Sequence, residues 1–198
     1  MLSGADRYAA RATRASRTSF YYSFVLLPRE KRRAIYAIYA FCRAADDVAD
    51  GPGDPAEKER ALRKWREELG RCYAGGPRHP VTEALLPAVR RYRLPREHFE
   101  GILDGVASDL TRRRYATFED LRGYCHRVAS LVGLLCVEVF GYRDPASRDY
   151  ARELGLAFAF ATNGHEIIEF DFIAGLEQSV SGFPSPADSG PGCKPPPV

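Results

Sequence analysis

The sequence predicts an all-α protein, and three observations lead there: helix start signals recur along it, apolar residues between them recur at spacings of three and four, and no segment alternates convincingly as a strand. Helices are expected near 5–16, 29–50, 55–73, 80–92, 95–109, 118–140 and 145–162. The first carries Arg7, Arg11 and Arg14 and no apolar run of the kind a signal peptide needs. The second follows Leu27-Pro28 and stops at Gly51-Pro52-Gly53. Asp54-Pro55-Ala56-Glu57 opens the third with an N-cap, a proline at the first helical position and a capping-box acid. The fourth is read from periodicity, and Leu94-Pro95-Arg96-Glu97 starts the fifth. Thr117-Phe118-Glu119-Asp120 resembles another capping box, after which Leu121, Tyr124, Cys125, Val128, Val132, Leu135, Cys136 and Val139 mark one apolar stripe. Asp144-Pro145 repeats the cap-then-proline signal for the last helix.

At 198 residues the chain suits one domain with a hydrophobic core, expected over 1–178. From Ser179 the text turns to Pro, Ser and Gly, too poor in apolar surface to offset its ordering entropy, and 179–198 is expected to be a disordered tail. Lys+Arg 29 against Asp+Glu 26 is too even a balance to argue for nucleic acid. Five cysteines (Cys42, Cys72, Cys125, Cys136, Cys193) without a C-x-x-C pair point to a reducing, cytoplasmic compartment without structural disulfides or zinc. The most apolar stretch, Val128 to Val139, is short and interrupted by Glu138, so it reads as a core helix; a peripheral membrane contact stays open.

The informative helix is the second. Tyr39, Arg43, Asp46 and Asp50 follow one another at four, three and four residues and share a face, with Asp47 beside them. Three carboxylates thus crowd a last turn where the helix dipole is already negative. A solvated acidic helix end is the commoner explanation of a bare D-D-x-x-D. Here Tyr36, Tyr39, Phe41 and Arg43 add aromatic surface and a phosphate-binding cation, and clustered oxygen ligands suit Mg²⁺ completing its shell with water and phosphate. Tyr36, Tyr73 and Tyr92 themselves read as core packing.

Ser19-Phe20-Tyr21-Tyr22-Ser23-Phe24, Leu27-Pro28-Arg29-Glu30-Lys31-Arg32 and Tyr39-Ala40-Phe41-Cys42-Arg43-Ala44-Ala45-Asp46-Asp47-Val48-Ala49-Asp50 closely resemble the squalene/phytoene synthase family. Asp109-Leu110, Arg114-Tyr115, Phe118-Glu119-Asp120-Leu121, Tyr124-Cys125-x-x-Val128-Ala129-x-x-Val132-Gly133, Phe140-Gly141-Tyr142 and Leu154-Gly155-Leu156-Ala157-Phe158 extend the resemblance over about residues 8–160. It implies an isoprenoid-synthase-type helix bundle that joins two farnesyl or geranylgeranyl diphosphates head to head (1′-1), to presqualene or prephytoene diphosphate. Bacterial presqualene diphosphate synthases of hopanoid pathways are the most similar, with phytoene synthases close behind. The resemblance implies Mg²⁺ on Asp46 and Asp50 with Asp47 beside them, and Arg43 on phosphate. It sets Ser19, Phe20 and Tyr21 at the pocket mouth, Tyr39 within it and Tyr124 near the reacting carbons. NADPH serves part of the family, and nothing in this sequence supports it.

The resemblance breaks near residue 160. The family carries a second aspartate motif there, after a Thr-Asn stretch. This chain keeps Thr162-Asn163, making Asn163 a candidate substrate contact, and then reads Gly164-His165-Glu166-Ile167-Ile168-Glu169-Phe170-Asp171 without a D-x-x-x-D. Glu166, Glu169 and Asp171 are weak substitutes, with Glu166 and Glu169 three apart on a helix face; His165 reads as a surface residue. The bundle is accordingly expected to be C-terminally incomplete, a truncated or frame-shifted form that binds prenyl diphosphate poorly and turns it over barely. A catalytically dead binding protein of the same fold is the alternative, and a head-to-tail prenyltransferase ranks below both.

Overall fold

The computed structural model describes residues 3–15, 27–111, 114–142, 158–162, 167–171 and 176–180. Its helices are α1 (Gly4–Ala15), α2 (Arg29–Asp50), α3 (Pro55–Tyr73), α4 (Pro80–Tyr92), α5 (Arg96–Asp109), α6 (Phe118–Cys125) and α7 (Leu131–Phe140), with a π-helical turn at His126–Ser130 joining the last two into one rod. The ends follow from local chemistry. Asp54 accepts from the Glu57 N–H at 2.9 Å while Glu57 accepts from the Asp54 N–H at 3.2 Å, the reciprocal cap that starts α3. At α4, His79 Nδ1 accepts from the Val81 N–H at 3.2 Å, and Pro80 fills the first position, where no N–H is needed. Thr117 caps α6 by accepting from the Asp120 N–H at 3.1 Å.

The central element is α2, which packs against α1, α3, α4, α5 and α7. That explains why its buried set, Ala34, Ile35, Tyr36, Ala37, Ile38, Ala40, Phe41 and Ala45, covers more than one stripe. Phe41 is wholly buried and meets Phe99 of α5 and Trp65 of α3 edge to face, with centroids 5.1 and 5.8 Å apart. Tyr36 is buried as expected, and Tyr73 donates its hydroxyl to the Leu94 carbonyl at 2.8 Å. Lys31 near the start of α2 donates to the Phe140 carbonyl at 2.7 Å, capping the far end of α7. Between α3 and α4 the buried Glu68 carboxylate collects four donors: the N–H groups of Arg78 and His79 at 2.6 and 2.9 Å, the Thr82 hydroxyl at 2.6 Å and Arg71 Nε at 2.7 Å. Cys42, Cys72, Cys125 and Cys136 are free thiols; Cys193 lies outside the described residues.

The all-α expectation holds for this bundle, and the C-terminal end departs from it. Three strands, β1 (Phe158–Thr162), β2 (Ile167–Asp171) and β3 (Leu176–Val180), pair antiparallel in chain order, with Phe158 opposite Asp171 and Ile167 opposite Val180. The helix expected through 162 is therefore strand from Phe158 onward. Phe158-Ala159-Phe160-Ala161-Thr162 alternates large and small residues, and Ile167-Ile168 adds β-branched side chains that fit a pleated ladder. Glu169 and Asp171 belong to β2, so Glu169 is not on a helix face; His165 and Glu166 lie outside the described residues. Ser179 and Val180, expected in the tail, close β3; residues 181–198 lie outside the described residues.

Candidate functional site

The last turns of α2 hold the acidic cluster, and they are built against the usual preference. No basic residue of α2 lies in its last turn, where free carbonyls would welcome one. The missing cation comes from the next helix: Lys58 on α3 donates to the Ala49 carbonyl at 2.6 Å. Gly51 then turns the chain, its N–H donating to the Asp47 carbonyl at 3.0 Å. A Cβ at Gly51 would stand 2.7 Å from that oxygen, so the close approach requires glycine.

Within the cluster, Arg43 Nη2 pairs with Asp47 Oδ1 at 2.7 Å. This four-residue pairing takes Arg43 to Asp47, not only along the Asp46 stripe, and holds the guanidinium pKa above its ordinary value, chiefly through that hydrogen bond. Asp46, Asp47 and Asp50 are exposed and Tyr39 is half-buried. Loss of hydration where Asp46 meets the bundle pushes its carboxyl up to about 6, followed by the charge of Asp50; Arg43 opposes, and Asp109 and Asp47 add to the rise. Beneath it, burial and then the Asp46 charge hold the Cys42 thiol protonated, far above the usual thiol range.

Asp109 closes α5, again without a basic residue in its last turn. Its charge acts on two groups at once, Asp46 on α2 and the Tyr124 phenol on α6. Burial first, then Asp109, keep Tyr124 a neutral phenol with its pKa raised well beyond the ordinary tyrosine range. The Tyr115 ring lies alongside, 5.1 Å from that of Tyr124 at 33°, and its hydroxyl is buried with no hydrogen-bond partner among the described residues.

Tyr39, Arg43, Asp46, Asp47 and Asp50 thus lie along one helix, and Tyr124, on another, is linked to them through Asp109. Ser19, Phe20, Tyr21 and Asn163 lie outside the described residues. Asp109 and Lys58 were missed as site residues. The first leaves a trace in the sequence, an acid ending a helix that lacks a cation there, whereas Lys58 gives no local signal. A cavity of about 420 Å³, lined by Asp6, Glu30, Arg33, Pro87, Arg91 and Tyr92 among others, sits at the opposite end of α2 from the aspartates. At about 1.5 Å per residue the two are roughly 20–30 Å apart, so this cavity is no part of the cluster.

Among the described residues no three acids, histidines or cysteines converge closely enough to cage a metal ion by themselves. Mg²⁺ asks for less: one or two carboxylates, with water and phosphate completing its shell. Loss of hydration lifts Asp46 most, and the repulsion from Asp50 that adds to it is the local field a hard cation would relieve; Asp46 and Asp50 are the donors that fit such an ion.

The chain is similar to known proteins over most of its length. The squalene/phytoene synthase family profile matches residues 13–162. A 15-cis-phytoene synthase from Synechococcus elongatus is 40% identical over 130 residues, which is 66% of this chain and 42% of that protein. A phytoene synthase from Mycobacterium tuberculosis is 37% identical over 171 residues, covering 86% of this chain and 56% of that one. The chain therefore spans between about two fifths and just over half of these relatives. Among solved structures, squalene synthase HpnC from Alicyclobacillus acidocaldarius superposes with a TM-score of 0.70 at 32% identity, over 78% of this chain and 58% of the other. A dehydrosqualene synthase solved with a ligand gives 0.67 at 31%, over 77% and 53%.

Proposed function

Because this chain belongs to the squalene/phytoene synthase family, we propose that it binds prenyl diphosphates at the α2 cluster and works in their head-to-head (1′-1) condensation. The observation that carries this reading is the acidic end of α2 with Arg43 paired beside it and Asp109 of α5 acting on both Asp46 and the neutral Tyr124. Asp46 and Asp50 would hold Mg²⁺, with Asp47 beside them keeping Arg43 in place. The ion, when bound, supplies neutralisation of the diphosphate leaving group. Arg43 orients the phosphates by charge-assisted hydrogen bonds. Tyr39 and Tyr124 present ring faces, which favour the positive charge left on the allylic carbon, and help exclude water from it. The names of the curated relatives favour geranylgeranyl over farnesyl diphosphate, and phytoene-type over presqualene-type products.

A second reading has its own support. The sequence after Asn163 carries no D-x-x-x-D, so the carboxylates expected to face Asp46 and Asp50 are missing from it. Losing one side of such a clamp costs on the order of several kcal/mol of transition-state stabilisation, about a thousandfold or more in rate. On this reading the polypeptide binds the diphosphate weakly and hardly turns it over. One assay separates the two: the purified chain with Mg²⁺ and either diphosphate, extracted for the cyclopropyl diphosphate. Turnover lost in Asp50→Ala supports the enzyme; binding lost in the same variant, with no product from either chain, supports the binder. No Mg²⁺-dependent binding at all refutes both.

A further inference from the structure

Residues 101, 105 and 109 of α5 stand four apart and share one face. The first two are glycines because the neighbouring helix leaves no room for more. A Cβ at Gly101 would strike Leu131 Cδ1, and one at Gly105 would stand 2.8 Å from Val128 Cγ1 and 3.1 Å from Arg127 Cβ. As the numbers rise along α5, those of the partner fall, so α5 lies flush and antiparallel against the α6–α7 rod. One more step down this face is Asp109, and the matching step along the rod is Tyr124, whose phenol is held neutral in part by the Asp109 charge. Tyr115 backs the Tyr124 ring at 5.1 Å. Helix stability does not explain an aspartate here, since a carboxylate in a last turn faces the negative end of the dipole.

We propose that Asp109 is a positioning residue: seated by the glycine stripe, its carboxylate holds the Tyr124 hydroxyl at the edge of the α2 cluster and fixes the orientation of that ring. What Tyr124 then does to substrate rests on the function proposed above; its placement by Asp109 does not. The full chain is prepared with tyrosine labelled at the ring Cζ carbon, and the Tyr124 resonance is assigned by its loss in Tyr124→Phe. In Asp109→Ala this resonance moves upfield and broadens as the hydroxyl loses its acceptor and the ring its single orientation. In Asp109→Asn, which keeps an acceptor without the charge, it moves less and stays sharp. The Tyr8 resonance, on α1, stays put in both. A Tyr124 resonance unchanged in either variant overturns the proposal; should Asp109→Ala fail to fold, the asparagine variant decides alone. The same samples titrated with Mg²⁺ and farnesyl diphosphate test the proposed function separately. Absence of binding by the unaltered chain would refute that function and leave the tyrosine result standing.

Discussion

Replacing Glu68 by glutamine removes one negative charge from a carboxylate that is only 7% exposed and changes almost nothing in size. Burial alone would raise the Glu68 pKa, but the Thr82 hydroxyl, the Arg78 N–H, Arg71 and the His79 N–H together bring it down from 4.5 to about 2. A fall of this size corresponds to ~3 kcal/mol of folding stability, trimmed to about 2 kcal/mol because Arg71, 38% exposed, leaves the group close to solvent. The folded pKa is depressed, so this stability is fully present above pH 4.5 and drains away as pH falls toward 2. Glutamine can still accept from the Arg78 and His79 N–H groups just before α4 but forfeits the charge. Urea unfolding at pH 7 should therefore show Glu68→Gln less stable by about 2 kcal/mol. The gap should narrow through pH 4 and nearly close by pH 2. Glu68→Ala strands the Arg78 and His79 N–H groups and should cost about 3 kcal/mol. A glutamine variant within 0.5 kcal/mol of the parent at pH 7, or a gap that does not shrink with acid, would refute the account of this carboxylate as the tie between α3 and α4; the 0.5 kcal/mol margin is roughly the scatter of neutral surface changes.

Gly105→Ala should destabilise by about 1–3 kcal/mol, because its Cβ meets Val128 and Arg127. The exposed Gly133, with nothing within 4 Å, should gain about 0.5–1 kcal/mol from alanine, and thermal melts of the pair test whether the α5 contact causes the difference. Asp46→Asn should raise the melting temperature at pH 7.5, since the folded-state pKa of about 6 means that ionised Asp46 opposes folding. The benefit should fade as pH falls below 4, where the parent carboxyl is protonated in both folded and unfolded chains; an equal benefit at pH 3.5 would contradict this.

The sequence was most informative where one short stretch settles a boundary. Proline at 28, 55 and 95, glycine at 51 and 53, and the Asp54–Glu57 pair mark ends of three helices, which the structure reproduces within a residue, as it does the fourth helix read from periodicity. The all-α class and the shared face of Tyr39, Asp46 and Asp50 were legible for the same reason: both follow from a 3.6-residue period. The π turn at His126–Ser130 was not, because no proline or glycine announces it. The strands were missed because a short apolar run reads equally as buried helix, and the capping signal at Asp144-Pro145 carried the helical reading too far. Asp109 and Lys58 depend on which helices touch, information that periodicity within one helix does not contain.

The hydrogen bond from Lys31 to the Phe140 carbonyl joins residues 109 positions apart. It closes nearly the whole bundle into a loop, and such closure costs entropy before it returns anything. During synthesis α2 must therefore wait, with part of its broad apolar surface uncovered, until the ribosome has released residue 140. A nascent chain stalled before that point would expose the faces of α2 that α5 and α7 later cover, which makes this the stage most in need of a chaperone.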